Sequence, residues 1–289
     1  MISEKDLLQR VRNLELVGRK NAHSLLNGEY STKIPGNGLQ FHEARKYVSG
    51  ESIRLIDWNI TARQGEPYVK VLLEEREREI VIALDLSQSM HSGFQDRTKL
   101  EYAVELAASV AVSAADSRDR VGCILFTDRT ELFLRPRRGR IQLFKCLKAF
   151  LEYSEKSFPE RNTDAGSALM EVFRQKSKRQ IVFLISDFTE KEILSDMKYT
   201  TKRTDLNFFH IYDPVEYSGF PSLLFQAEFP ETGGSVFSRG TSFRSLEDDR
   251  LRIKNMCSRF GIGFESFSTA DSVSGKLFRY FHAKRKRRI

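Results

Sequence analysis

Between residues 79 and 213 the chain alternates short apolar runs with longer amphipathic stretches. Ile80 to Leu84, Val121 to Phe126, Ile181 to Ile185 and Leu206 to Tyr212 are apolar almost throughout, the pattern of strands buried on both faces. Between the first two, Leu100, Ala103, Val104, Ala107, Val110, Ala111 and Ala114 recur at helical spacing. Arg97 to Ser117 is therefore expected to be a helix whose alanines let it lie close on a sheet. Ile141 to Tyr153, Ala165 to Gln175 and Ile193 to Thr201 read as further helices, and Glu131 to Arg135 as an edge strand because Pro136 follows. Strands alternating with helices require crossover connections and parallel pairing. The pattern predicts a doubly wound, mainly parallel α/β sheet.

The flanks read differently. Leu223 to Phe229 and Ser235 to Phe237 surround Pro230 to Gly234, which predicts a hairpin with a glycine turn. Arg250 to Phe260 is expected as helix, Gly261 to Phe267 as the last core strand and Val273 to Phe281 as the last helix. Residues 1–78 do not read as an α/β unit. One helix carrying Leu7, Leu8, Val11 and Leu14 is followed by turn-rich Pro35 to Gly38, so this stretch is expected to be an N-terminal accessory region to an α/β domain over 79–289. Gly36 and Gly38 lack the third glycine, the preceding strand and the following helix of a dinucleotide fingerprint, and no Walker-type phosphate loop occurs.

Candidate chemistry lies where the strands end. The run Ile80 to Leu84 stops at Asp85, and hydroxyls follow at Ser87 and Ser89; a second apolar run stops at Asp187, and Thr163 stands in a polar loop that opens a helix. In a doubly wound sheet the carboxyl ends of neighbouring strands meet at one crevice, so these loops can converge. Asp85, Ser87, Ser89, Thr163 and Asp187 would then offer oxygen donors without sulfur or imidazole, suited to a hard cation such as Mg2+ or Mn2+. The plainer reading is that Asp85 and its serines form a turn and cap the next helix. Two carboxylates would balance a divalent cation, and three neutral hydroxyls would leave at least one position for water or an incoming carboxylate. The crevice is expected to be open to solvent.

In order and residue type this set resembles the metal-ion-dependent adhesion site of von Willebrand factor A domains, with all five positions of that pattern filled. A second resemblance runs through Gly36, Gly38 and Phe41, then Arg45, Tyr47 and Gly50, Arg54, Ile56, Asp57 and Trp58, Thr61 and Arg63, and Tyr68 to Lys70. These are similar to the signature of the bacterial domain-of-unknown-function 58 family, which carries a von Willebrand A-like core and is typically encoded beside MoxR-type AAA+ ATPases. The resemblances imply metal-dependent binding of a carboxylate-bearing protein and association with such an ATPase or its client, not a reaction. Arg45, Arg54, Asp57 and Arg63 are expected to form a salt-linked network tying the segment to the core, with Trp58 as an anchor. The rival class is a Mg2+-dependent phosphohydrolase, since haloacid-dehalogenase-like enzymes also begin with an apolar strand ending in aspartate. Their general acid falls where this chain has Ser87, which lacks the acidity for that role near neutral pH. The chain is expected not to be an enzyme.

The net charge of +8 falls to +3 once the five basic residues Lys284 to Arg288 are set aside, so the body is only mildly basic. The tail is expected to be solvated, with the charge to touch an anionic membrane weakly. No basic stripe interleaved with aromatics points to specific nucleic-acid binding. Cys123, Cys146 and Cys257 are odd in number and lack metal-ligand spacing; Cys123 lies in an apolar strand and reads as a small buried hydrophobe. The charged N-terminal residues and the absence of a long apolar run argue against a signal peptide or a bilayer span, and a reducing cytoplasm is the expected compartment. The five histidines form no nucleophile, base or metal constellation, and His91 reads as a rim residue.

Overall fold

Parallel strands need a layer on each face, and this chain supplies both. The computed structural model describes residues 4–22, 35–73, 78–93, 97–156, 158, 163–175, 180–188, 204–218, 226–228, 235–237 and 242–286. In chain order the elements are α1 (Glu4–Ala22), β1 (Pro35–Lys46), α2 (Trp58–Gln64), β2 (Tyr68–Leu73), β3 (Glu79–Asp85), α3 (Lys99–Asp116), β4 (Arg120–Phe126), β5 (Thr130–Arg137), α4 (Arg140–Ser154), α5 (Ala165–Phe173), β6 (Gln180–Ser186), β7 (Thr204–Tyr212), α6 (Val215–Ser218), β8 (Gln226–Glu228), β9 (Ser235–Phe237), α7 (Ser242–Phe260), β10 (Gly263–Ser268) and α8 (Val273–Lys286). The helix expected over Ile193 to Thr201 lies outside the described residues.

The central sheet has the order β10-β7-β6-β3-β4-β5. Its pairs are parallel except β4–β5, so the strand expected at an edge is the antiparallel edge strand. The register of β4–β5 shifts at Gly122, where a β-carbon would meet the Leu134 carbonyl oxygen at 2.5 Å and the Pro136 nitrogen at 2.7 Å. Only glycine admits that close backbone approach. One face of the sheet packs Val81, Ala83, Ile124, Val182 and Phe208 against Ala165, Leu169 and Val172 of α5 and Cys257 of α7. On the other face, aromatic pairs join strands to helices: Phe209 with Tyr280 of α8 at 5.0 Å, and Phe267 with Tyr102 of α3 at 6.4 Å. The α3 stripe is buried along its length, and its start is fixed by a capping box in which Thr98 and Glu101 satisfy each other's backbone N–H groups.

The helix α1 belongs to this body. Val11 is buried, Asn21 donates to Glu105 at 2.9 Å, and Arg19 pairs with Asp116 at 3.1 Å. The accessory region expected over 1–78 is thus divided: Met1–Glu29 clusters with Arg78–Ile289, and Tyr30–Glu77 is a second compact unit.

Within that second unit β1 and β2 pair antiparallel, and Gly36 and Gly38 stand in β1 instead of forming the expected turn. Asp57 caps α2 by accepting the N–H groups of Asn59 and Ile60, and Gly65, at φ 71°, ends the helix in the left-handed conformation. Of the residues expected in a salt-linked network, those with partners among the described residues find them inside this unit. Arg45 pairs with Glu51, Asp57 has Lys70 at 3.8 Å, and Arg54 and Arg63 form no ion pair with a described residue. Trp58 is 66% exposed on the first turn of α2. The Asp57 carboxylate is turned back onto the helix it caps.

The basic tail departs from expectation as well. The α8 helix runs on to Lys286, and Lys284 donates to Asp205 at 2.8 Å while lying over the Tyr280 ring. Arg287 and Arg288 lie outside the described residues. Deleting residues 284–289 should lower the unfolding free energy by about 1 kcal/mol, the size of a partly buried ion pair, without abolishing cooperative folding. Urea denaturation monitored by circular dichroism measures it; an unchanged midpoint would mean that Lys284 contributes nothing.

Candidate metal centre

β3 and β6 are hydrogen-bonded neighbours, paired in register from Glu79–Gln180 to Leu84–Ile185. From β3 the chain crosses to β4, whereas from β6 it moves the opposite way to β7. Their carboxyl ends are therefore a topological switch point, where doubly wound sheets leave a crevice. Asp85 ends β3, and Asp187 directly follows β6.

Asp85 is fully buried, so the expected solvent-open position is not what the fold provides. Its two oxygens accept from the Ser87 backbone N–H at 2.8 Å and the Ser186 hydroxyl at 2.6 Å. The Ser87 and Ser89 hydroxyls lie 3.1 Å apart on the turn after β3, and Ser89 also hydrogen-bonds Asp187. Thr163 arrives from the loop before α5. Asp164 beside it donates its N–H to the Thr127 carbonyl at 2.8 Å, pinning this loop to the end of β4, next to β3. The Thr163 hydroxyl is buried and lacks a hydrogen-bond partner among the described residues. The structure thus links Asp85, Ser87, Ser89 and Asp187 directly and brings Thr163 to the adjoining strand end.

The electrostatics follow from burying two carboxylates together. Burial and then the Asp187 charge push the Asp85 carboxyl up to about 7, against the hydrogen bonds it accepts. For Asp187 burial acts in the same upward direction, but the Lys99 ammonium, 2.7 Å from its Oδ2, outweighs it and holds the group below the usual carboxylate range. Lys99 is itself buried and also meets Glu216 at 2.8 Å; the two acids raise its pKa although burial opposes. His210 stands nearby on β7, where burial pushes its pKa down to about 3 and leaves a neutral ring whose Nδ1 is 3.3 Å from the Ser266 hydroxyl. His91, expected at the rim, is half-buried, and its Nε2 has no partner among the described residues. Phe188, immediately after Asp187, adopts φ 51°, a left-handed conformation uncommon for a bulky residue and held here by stacking on Phe208 at 5.2 Å.

These residues fit a hard divalent cation. An orphaned buried hydroxyl is unfavourable by about 1–3 kcal/mol unless something meets it, and like-charged carboxylates call for a cation between them. Among the described residues no group of three or more His, Cys, Asp or Glu is placed to hold a metal, so such an ion would rest on two carboxylates and neutral hydroxyls. Sequence reading missed Ser186, Lys99, Glu216 and His210. Ser186 adjoins Asp187 and was within reach of the pattern; a lysine in the first turn of a helix ordinarily reads as solvated, so Lys99 carried no signal. Cys123, Cys146 and Cys257 are buried free thiols.

The pH dependence follows with its sign. The folded-state value of Asp85 lies above that of the unfolded chain, so its protonation stabilises the metal-free fold at low pH, and that contribution is lost as pH rises through about 7. A cation at Asp85 competes with the same proton. Mg2+ affinity should therefore fall as pH drops below about 7 and should disappear in Asp85→Asn, which keeps the shape of the side chain. Calorimetry from about pH 5.5 to about pH 8 checks this; a pH-independent affinity, or one retained in Asp85→Asn, would remove Asp85 from the site.

Comparison with known proteins adds the following. A family model described as "Protein of unknown function DUF58" matches residues 43–235. Uncharacterized proteins of Mycobacterium tuberculosis and Mycobacterium bovis are 27% identical over 187 residues, which is 65% of this chain. The aligned part spans 59% of the length of those relatives. Among solved structures, an aerotolerance-related membrane protein from Bacteroides fragilis, crystallised with multiple mutations to serine, is 18% identical with a TM-score of 0.46, covering 71% of this chain and 98% of that one. The SpRpn10 VWA domain is 12% identical with a TM-score of 0.36, covering 70% and 93% respectively.

Proposed function

The chain belongs to the DUF58 family of proteins of unknown function, and from that premise we propose that it is a metal-dependent protein-interaction module. In this reading Asp85, Ser87, Ser89, Thr163 and Asp187 hold Mg2+ or Mn2+, and a glutamate or aspartate of another protein completes the coordination. The observation that carries it is the pair of buried carboxylates, Asp85 and Asp187, at the switch point, with a buried Thr163 hydroxyl that meets no partner among the described residues on the loop held to the adjoining strand end. A bound cation would supply an electrophilic position for a hard anionic oxygen. The chain's own groups would orient the donors: Ser87 N–H and Ser186 hold Asp85, and Ser89 holds Asp187. The neutral hydroxyls leave the cation's charge incompletely quenched, which favours an incoming carboxylate over water.

The family resemblance supports a MoxR-type AAA+ ATPase, or its client, as the partner. Three buried free cysteines support a reducing cytoplasm. Among the described residues no helix is long and apolar enough to cross a membrane. Phosphoester hydrolysis is not favoured, because Ser87 stands where a general acid is needed and its hydroxyl is engaged with Ser89.

Pull-down of the MoxR-type ATPase should succeed in Mg2+, fail in EDTA and fail with Asp85→Asn. It should tolerate moderate salt better than a purely ionic contact does. Full-strength capture in EDTA would place the interface elsewhere, and metal-dependent hydrolysis of an aryl phosphate that is lost in Asp85→Asn would replace this reading by an enzymatic one.

A further inference from the structure

The least expected group at the candidate centre is a second cation built into the chain. Lys99 is the first residue of α3, its backbone fixed by the capping box beside it, and its ammonium is enclosed between two carboxylates. Nζ stands 2.7 Å from Asp187 Oδ2 and 2.8 Å from Glu216 Oε1. Glu216 is fixed independently: its other oxygen accepts from the Asp213 N–H at 3.2 Å, and its own N–H donates to the Asp213 carbonyl at 3.0 Å. Once Asp85 gives up the proton with which a cation competes, Asp85, Asp187 and Glu216 carry three negative charges against the positive charge of Lys99, a deficit of two that one divalent ion would cancel. Asp187 is the carboxylate that both cations would share.

We propose that Lys99 is an internal counter-ion of the metal centre, competing with the divalent cation for Asp187 and passing to Glu216 when the metal takes that carboxylate. The inference rests on the metal-binding reading above. Two features of the geometry support it. The ammonium already touches both acids, so a small shift toward Glu216 releases Asp187 without leaving a buried charge unpaired. The flexible four-carbon stem and point charge of lysine permit such a shift, where the planar fork of an arginine would lock onto one carboxylate. Lys99 thereby keeps the metal-free centre folded and lowers its affinity for the metal, making loading reversible.

The test compares wild type, Lys99→Met and Glu216→Gln by Mg2+ calorimetry and by the thermal midpoint in EDTA and in Mg2+. Lys99→Met should bind Mg2+ roughly tenfold more tightly or better, the scale of one charge-assisted hydrogen bond, while its midpoint in EDTA falls. If it is unfolded in EDTA, Mg2+ should restore folding, and the metal-induced rise in midpoint should exceed that of wild type. Glu216→Gln removes the alternative acceptor, keeps the ammonium on Asp187 and should weaken Mg2+ binding. If wild type binds Mg2+ and Lys99→Met binds it equally or more weakly, or Glu216→Gln leaves affinity unchanged, the proposal falls while the metal site stands. If neither wild type nor Lys99→Met binds Mg2+, the proposal falls together with the metal reading.

Discussion

Two carboxylates enclosed side by side at the ends of adjacent parallel strands cannot both remain ionised without a cation, and the site is arranged around that constraint. Asp85 and Asp187 are buried because β3 and β6 are central strands covered on both faces. Their surroundings drive the two acids apart: burial pushes Asp85 toward holding a proton, whereas Lys99 outweighs burial at Asp187 and steadies its charge. The surrounding details serve the same pair. Ser186 reaches across from β6 to Asp85, the turn after β3 sends Ser89 to Asp187, and Phe188 takes a strained backbone conformation as the chain leaves Asp187.

A site of this kind needs a stiff platform, because a few tenths of an ångström decide whether an oxygen meets a small cation. The sheet provides it through parallel register and through packing on both faces, with α5 and α7 on one side and α3 and α8 on the other. The buried rings of Phe183, Phe208, Phe209 and Phe267 are large and hold the strands to the helices that carry the loops. His210, kept neutral by burial, adds volume beside Asp187 without adding charge. The donors are thus mostly uncharged, and a bound cation would retain enough field to attract an anionic side chain.

The unit over Tyr30–Glu77 follows a different economy. Its polar groups close upon themselves: Asp57 on the α2 backbone, Arg45 on Glu51, Lys46 on Glu66. The residues that give the segment its signature therefore maintain a small antiparallel hairpin and its capped helix, and Trp58 is left largely exposed on the first turn of that helix.

How much was legible beforehand depended on the range of the interaction. The strands and helices of the α/β body were readable because periodicity is local: apolar runs at Ile80 and Ile181 and the alanine stripe of α3 state their burial within a few residues. That Asp85 and Asp187 come to neighbouring strand ends, across a hundred residues of sequence, was readable because strand ends in a doubly wound sheet converge by topology. Other features were set by distant partners. That α1 joins the α/β body through Asn21 and Arg19, that Lys284 is drawn onto Asp205, and that Arg45 pairs with Glu51 are choices among equivalent charges. A sequence lists such charges without ranking them. Lys99 is the sharpest case: in the sequence it is one lysine among 47 basic residues, and only the packing of α3 against the ends of β6 and β7 gives it two carboxylates and buries it. Local pattern determined which segments are buried; tertiary structure decided which buried charges must live together, because Coulomb energy depends on distance in space and on the water excluded between the groups.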